Sequence, residues 1–134
     1  MTEGLVMVVD DDFDLQAILQ TTLEASGYSC IGASSVKEAL QKLKTNRPAL
    51  VILDWKLPKE NGSAFLEQSS SWLPDGATPP PIIVVSGFDD PIITNYTLKH
   101  GAVSFIKKPY DPQYLLGMVA TFIEPSTTET PRSY

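Results

Sequence analysis

Cysteine is nearly missing from this chain: among its 134 residues, Cys30 is the single thiol. One thiol excludes a framework of internal disulfides. Its place in the strand-like run Tyr28–Ile31 points to a buried structural role rather than a reactive one. Long apolar runs are also lacking, and none approaches the ~20 residues of a membrane span. The N-terminus has neither the basic nor the apolar region of a signal peptide, so a cytoplasmic protein is expected. Basic residues are outnumbered, 10 Lys and Arg against 16 Asp and Glu, for a formal charge of −6. That balance excludes broad contact with nucleic acid or anionic membrane, though not a small positive site. No Gly-x-Gly-x-x-Gly turn follows the first apolar run, which argues against a flavin or dinucleotide site. Histidine occurs once, and His100-Gly101 reads as the end of a helix rather than as a phosphodonor.

What is present alternates. Short continuous apolar runs, the pattern of buried parallel strands, cover Leu5–Val9, Tyr28–Ile31, Ala49–Leu53, Ile82–Val85 and Val103–Ile106. Between them lie helical patterns. Leu15, Ile18, Leu19, Thr22 and Leu23 are spaced for one, with Gly27 as its stop. Ser35-Val36-Lys37-Glu38 matches a capping box ahead of Ala39, Leu40 and Leu43. A third helix is expected from near Ser63 through Phe65 and Leu66, fading by Trp72, after a loop marked by Pro58 and Asn61-Gly62. Asp90-Pro91 and Asp111-Pro112 each read as an N-cap followed by a proline in the first turn, the latter opening a helix with Leu115, Met118, Val119 and Phe122. The sum is an α/β fold: a five-stranded parallel sheet with helices on both faces, whose right-handed crossovers leave a few strand orders, the doubly wound 2-1-3-4-5 among them. Glu124 to Tyr134 is rich in Ser, Thr and Pro and reads as a tail or linker after a domain of residues 1–123.

Polar residues fall at the strand ends. Asp10 and Asp11 follow the first strand, Asp54 the third, Ser86 the fourth, and Lys108 stands just past the fifth. In a sheet of this order, strands one and three meet at the switch point, so the early acids and Asp54 share a crevice. Two unit charges about 4 Å apart repel by about 4 kcal/mol at an effective dielectric near 20, so three crowded carboxylates cost roughly 8 to 12 kcal/mol. Lys108 offsets part of that, and a divalent cation with oxygen ligands, Mg²⁺, is the natural remainder. Asp54 is then the expected nucleophile for a phosphoryl group. Mg²⁺ on Asp10 and Asp11, Lys108, the Ser86 hydroxyl, and backbone N–H groups near Trp55 and Gly87 are expected to hold the phosphoryl oxygens. Singly, each acid has an ordinary explanation: Asp12 and Asp14 suit a helix N-terminus, and Asp54 suits a turn. Trp55 and Trp72 read as packing residues, and Lys107 as a solvated side chain.

The ordered set Val8-Val9-Asp10-Asp11, Asp54 with Pro58 and Gly62, Ser86-Gly87, and Lys108-Pro109 resembles the response-regulator receiver domain of two-component signalling, from about Leu5 to Ile123. The resemblance implies Mg²⁺ held by Asp11, Asp54 and the backbone carbonyl of Lys56, with Asp10 acting partly through water. It implies a cis bond between Lys108 and Pro109. It also implies a switch in which Ser86 moves inward and Phe105 follows, altering the face of helix four, strand five and helix five. Phe88 and Lys56 fall where the family tunes hydrolysis, and Phe88 would shield a long-lived phosphoform. Implied partners are a histidine kinase or histidine phosphotransfer protein and a downstream effector or fused output domain, with phosphorylation-dependent dimerisation through that face. Two rivals stand beside this reading. One is an aspartyl phosphatase, since Asp10-Asp11-Asp12-Phe13-Asp14 nearly gives an Asp-x-Asp-x-Thr motif. The other is a receiver-like binding module that works without phosphate.

Overall fold

In a computed structural model describing residues 2–57, 59–87 and 91–125, the strands are β1 (Thr2–Val9), β2 (Ser29–Ala33), β3 (Pro48–Asp54), β4 (Ile82–Ser86) and β5 (Ala102–Lys107). All neighbours pair in parallel, in the order β2-β1-β3-β4-β5. The expected doubly wound sheet is therefore present, and the progression of strands across it reverses at the β1–β3 pair. β1 starts three residues earlier than its apolar run, through an irregularity between Thr2 and Val6.

Among the described residues, four helices connect the strands, α1 (Phe13–Ala25), α2 (Val36–Asn46), α3 (Gly62–Gln68) and α4 (Pro91–Lys99), and α5 (Pro112–Phe122) follows β5. Alternation along the strands sends side chains to opposite faces, which yields two cores. On one, Met7, Val9, Val51, Leu53 and Val84 pack with Leu40 and Leu43 of α2 and Phe65 of α3. On the other, Val6, Val8, Ile52 and Val85 meet Leu19 and Leu23 of α1 and Leu115 and Val119 of α5. Every residue of β3 is buried, so its terminal acid is delivered from the middle of the molecule.

Several local expectations need correction. Asn61-Gly62 is a helix start: Asn61 caps α3 by accepting from Ser63 N at 3.0 Å, and a 3-10 turn (Ser69–Trp72) continues the helix. The capping box at Ser35 is altered. Ser35 Oγ accepts from Glu38 N at 3.1 Å, but Glu38 reaches back to Ser34 N at 2.7 Å, one residue further out. In α1 only Leu19 and Leu23 are buried, whereas Leu15 and Ile18 are 41% and 56% exposed. Those two border a groove between α1 and the segment from Lys108 to Pro112. Cys30 is half-buried, not buried, and burial first, then Glu24, pushes its thiol up to about 12. Expectations that fall on Pro58, Phe88, Asp90 and the tail from residue 126 onward lie outside the described residues. No helix among the described residues is long and apolar enough to cross a membrane.

Candidate functional site

The carboxyl edge of the sheet gathers residues from four separate strand ends into one cleft of about 550 Å³, lined among others by Asp10, Asp11, Asp54, Lys56, Gly87 and Lys108. β1 ends at Val9 and hands the chain to Asp10, whose N–H still donates to Ala33 O at 2.9 Å, extending the ladder with β2. Asp10 is buried and Asp11 exposed. Asp12 then caps α1, its Oδ1 accepting from Asp14 N at 3.0 Å and Leu15 N at 3.2 Å. This commitment weakens the phosphatase rival, whose second acid would be Asp12. Asp14 sits exposed in the first turn, where the helix dipole favours it.

Asp54 closes β3 and is buried to 8% exposure. Its Oδ2 receives Lys108 Nζ at 3.2 Å and its Oδ1 receives Lys56 N at 3.3 Å. Lys108 is aimed by its backbone: its N–H donates to Ser86 O at 2.7 Å, and the Lys108-Pro109 bond is cis, as expected. Carboxylate oxygens of Asp10, Asp11 and Asp54 all lie within 4.8 Å of one another. Burial first, and the charges of Asp54 and Asp11 after it, push Asp10 up to about 6, against the pull of Asp12 N–H and Lys108. Tyr110 is raised by burial and then by the charges of Asp10 and Asp54. The pocket thus holds more negative charge than Lys108 alone balances. Three hard oxygen donors at this spacing suit a small divalent cation such as Mg²⁺.

One expectation fails in detail. Trp55 N donates to Val85 O at 2.9 Å, because the β3–β4 ladder runs one residue past Asp54. The N–H turned toward the carboxylate is that of Lys56. Gly62 locks this loop: its N–H donates to Trp55 O at 2.6 Å. A Cβ there would stand 3.2 Å from Asp54 O, a contact tight enough that the loop would have to give by a few tenths of an ångström.

Ser86 is buried at the end of β4, opposite Lys107 in register, with Gly87 at the cleft. Phe105, opposite Val84, is half-buried against the core that also holds Trp55. Sequence patterns gave no hint of Tyr96. Its ring meets Trp55 edge-on at 6.0 Å, its hydroxyl donates to Glu67, and His100 stacks on its other side at 4.0 Å. His100 ends α4 as expected, with Nδ1 2.8 Å from Tyr96 O. Gln16 was also missed, since a polar residue on a helix near a strand end carries no distinctive pattern.

Residues 6–120 match the family model for the response regulator receiver domain. The chain is 33% identical to the alkaline phosphatase synthesis transcriptional regulatory protein PhoP of Bacillus subtilis, over 96% of this chain and 52% of that one. It is 27% identical to the phosphate regulon transcriptional regulatory protein PhoB of Pseudomonas aeruginosa, over 98% of this chain and 58% of that one. The chain thus spans little more than half the length of these curated relatives. Among solved structures, a CheY-like response regulator receiver domain protein from Methanospirillum hungatei JF-1 superposes with a TM-score of 0.80 at 28% identity, covering 89% of this chain and 92% of that one.

Proposed function

The chain belongs to the response regulator receiver family of two-component signalling, and from that premise we propose that Asp54 is its phosphoacceptor, charged by a phosphohistidine on a histidine kinase or histidine phosphotransfer protein. One observation carries the assignment. Among the described residues, Asp54 alone combines a carboxylate oxygen within 4.8 Å of those of Asp10 and Asp11 with a direct contact to Lys108, whose Nζ is 3.2 Å from Oδ2.

Transfer of the phosphoryl group forms an O–P bond at Asp54 and breaks the N–P bond of the donor, whose imidazole leaves with a proton. The protein's part is to position and neutralise. Lys108 holds a phosphoryl oxygen as an ion pair, and Lys56 N–H, already turned to the carboxylate, takes another. Ser86 and the backbone at Gly87 complete the cradle. Asp10, Asp11, Asp54 and the carbonyl of Lys56 are the ligands we assign to Mg²⁺. When bound, that ion supplies the positive charge that the developing phosphoryl charge requires. Readout follows from Ser86 moving toward the phosphoryl group and Phe105 shifting with it. That motion alters the α4–β5–α5 face for an effector, a fused output domain or a second copy. The unit doing this is residues 1–123.

Incubation with acetyl phosphate and Mg²⁺, followed by intact mass, tests the reading. One added phosphoryl group is expected, absent from Asp54→Asn and from samples with chelator. An adduct that persists in Asp54→Asn removes Asp54 from the role, and no adduct in the parent chain leaves a receiver-like module that works without phosphate.

A further inference from the structure

We infer that Gln16 is a positioning residue for the acidic pair, fixing the Asp10–Asp11 peptide through a side-chain clamp that Gly32 makes room for. The inference rests on the reading of Asp10, Asp11 and Asp54 as the cation site.

Gln16 lies in the first turns of α1, where its backbone N–H donates to Asp12 O at 3.0 Å. Its side-chain nitrogen, Nε2, turns back to the sheet and donates to two carbonyls: Asp10 O at 2.6 Å and Ala33 O at 2.8 Å. Ala33 O also accepts Asp10 N at 2.9 Å. The end of β1 is therefore tied on both sides of Asp10 to the end of β2 and to α1. The Asp10 carbonyl belongs to the peptide that joins Asp10 to Asp11. Rotation of that peptide plane would swing the Asp11 backbone, and its exposed carboxylate with it, away from Asp10 and Asp54. A primary amide suits this place, because two N–H groups on one nitrogen match two carbonyls and add no charge beside the acids.

A second observation concerns Gly32, on β2 in register with Val8. Its φ lies outside the left-handed region, so its backbone does not demand glycine. What glycine supplies is space: an added Cβ would overlap Gln16 Oε1, the end of a flexible side chain, and would turn the amide aside. Glycine inside a strand often marks such a close approach. Gly32→Ala would displace the amide while leaving Gln16 in the chain, which makes it a test of the clamp independent of Gln16→Ala.

The experiment uses the full chain, with Gln16→Ala, Gly32→Ala and the double variant. Mg²⁺ is titrated by calorimetry and by tryptophan fluorescence, and acetyl phosphate labelling is followed at saturating Mg²⁺. Outer groups that orient metal ligands are worth about 10- to 100-fold in affinity. Each single variant is expected to raise the Mg²⁺ dissociation constant about tenfold. Labelling at saturating Mg²⁺ should return to within about twofold of the parent, because the clamp sets ligand geometry and touches no reacting atom. The double variant should be no weaker than Gln16→Ala, since both changes break one device. Parent-like Mg²⁺ affinity in either single variant, or losses that multiply in the double, overturns the clamp alone. A parent chain that does not bind Mg²⁺ overturns the cation site and the clamp with it. Should Gln16→Ala fail to fold, Gly32→Ala, whose backbone accepts alanine, decides the matter.

Discussion

Lys108 Nζ stands 3.2 Å from Asp54 Oδ2, although 54 residues separate the two in the chain. Lys108 is 29% exposed at its side chain and Asp54 10%, so the pair is partly screened but not free in water. Its backbone N–H, bonded to Ser86 O at 2.7 Å, ties the start of the lysine side chain to the end of β4.

Removing that charge should move two measurements in opposite directions. Lys108→Ala takes a cation away from three acids, so Mg²⁺ binding should tighten. It also removes a preorganised donor from the phosphoryl oxygens, which should slow labelling by acetyl phosphate about 100-fold. Calorimetry and time-resolved intact mass report the two quantities. A variant in which both fall together would mean that Lys108 merely holds the cleft in shape.

Asp10 gives a pH prediction with a definite sign. Its folded value is about 6, raised first by burial, against an ordinary 3.8. Between those values the folded chain holds a proton that the unfolded chain has lost, so this group's contribution is full below about 3.8 and is lost as pH rises through about 6. In chelator at pH 7.5, Asp10→Asn should therefore be more stable than the parent, by up to about 3 kcal/mol. The advantage should vanish near pH 4. Saturating Mg²⁺ should reverse the order at pH 7.5, because the parent gains by mass action and the variant gains less. Denaturant melts at the two pH values check this, and an advantage that is independent of pH would sink it.

The fold was legible because β-strands buried on both faces must be continuous apolar runs, and Val51–Asp54 ends in its acid without a turn. The site was legible for the related reason that a parallel sheet delivers all strand ends to one edge. Other features were hidden. Leu15 and Ile18 share the helical spacing of Leu19 and Leu23 yet stay exposed, since spacing names a stripe and not what lies beneath it. Strand length cannot be read to one residue, so the patterns near Trp55 do not show that its N–H closes the β3–β4 ladder while that of Lys56 turns to the carboxylate. Gln16 and Gly32 meet only through the fold, as Tyr96 meets Trp55.

Gly62 should accept a side chain only at a cost. A Cβ would sit 3.2 Å from Asp54 O and 3.3 Å from Leu53 Cγ, both held in the buried β3. Gly62→Ala must push the start of α3 outward and lengthen the bond from Gly62 N to Trp55 O. A cost of about 1–3 kcal/mol is expected from such overpacking, together with slower labelling of Asp54. Equilibrium unfolding checks the first, and an unchanged midpoint would show that the loop gives way freely.

Trp55 and Tyr96 offer a last test, of the link between the acceptor loop and α4. Trp55 follows Asp54 directly and is 9% exposed, with the Tyr96 ring edge-on at 6.0 Å and 72°. Tyr96 is also tied by its hydroxyl to Glu67 of α3, so the pair bridges the loop, α3 and α4. Edge-on aromatic pairs are worth about 0.5–1.5 kcal/mol beyond their burial. Tyr96→Leu keeps an apolar side chain but loses the ring and the hydroxyl, and should cost about 1 kcal/mol. Its more informative effect is optical. With one wall of its pocket removed, Trp55 should emit further to the red. Its response to phosphorylation should shrink as well, because α4 no longer follows the loop through the ring. Trp72, half-buried elsewhere in the same core, contributes a constant background that Trp72→Phe removes. If the Trp55 response is the same with leucine at position 96, the aromatic contact is packing alone and any signal to α4 travels through Ser86 and Phe105.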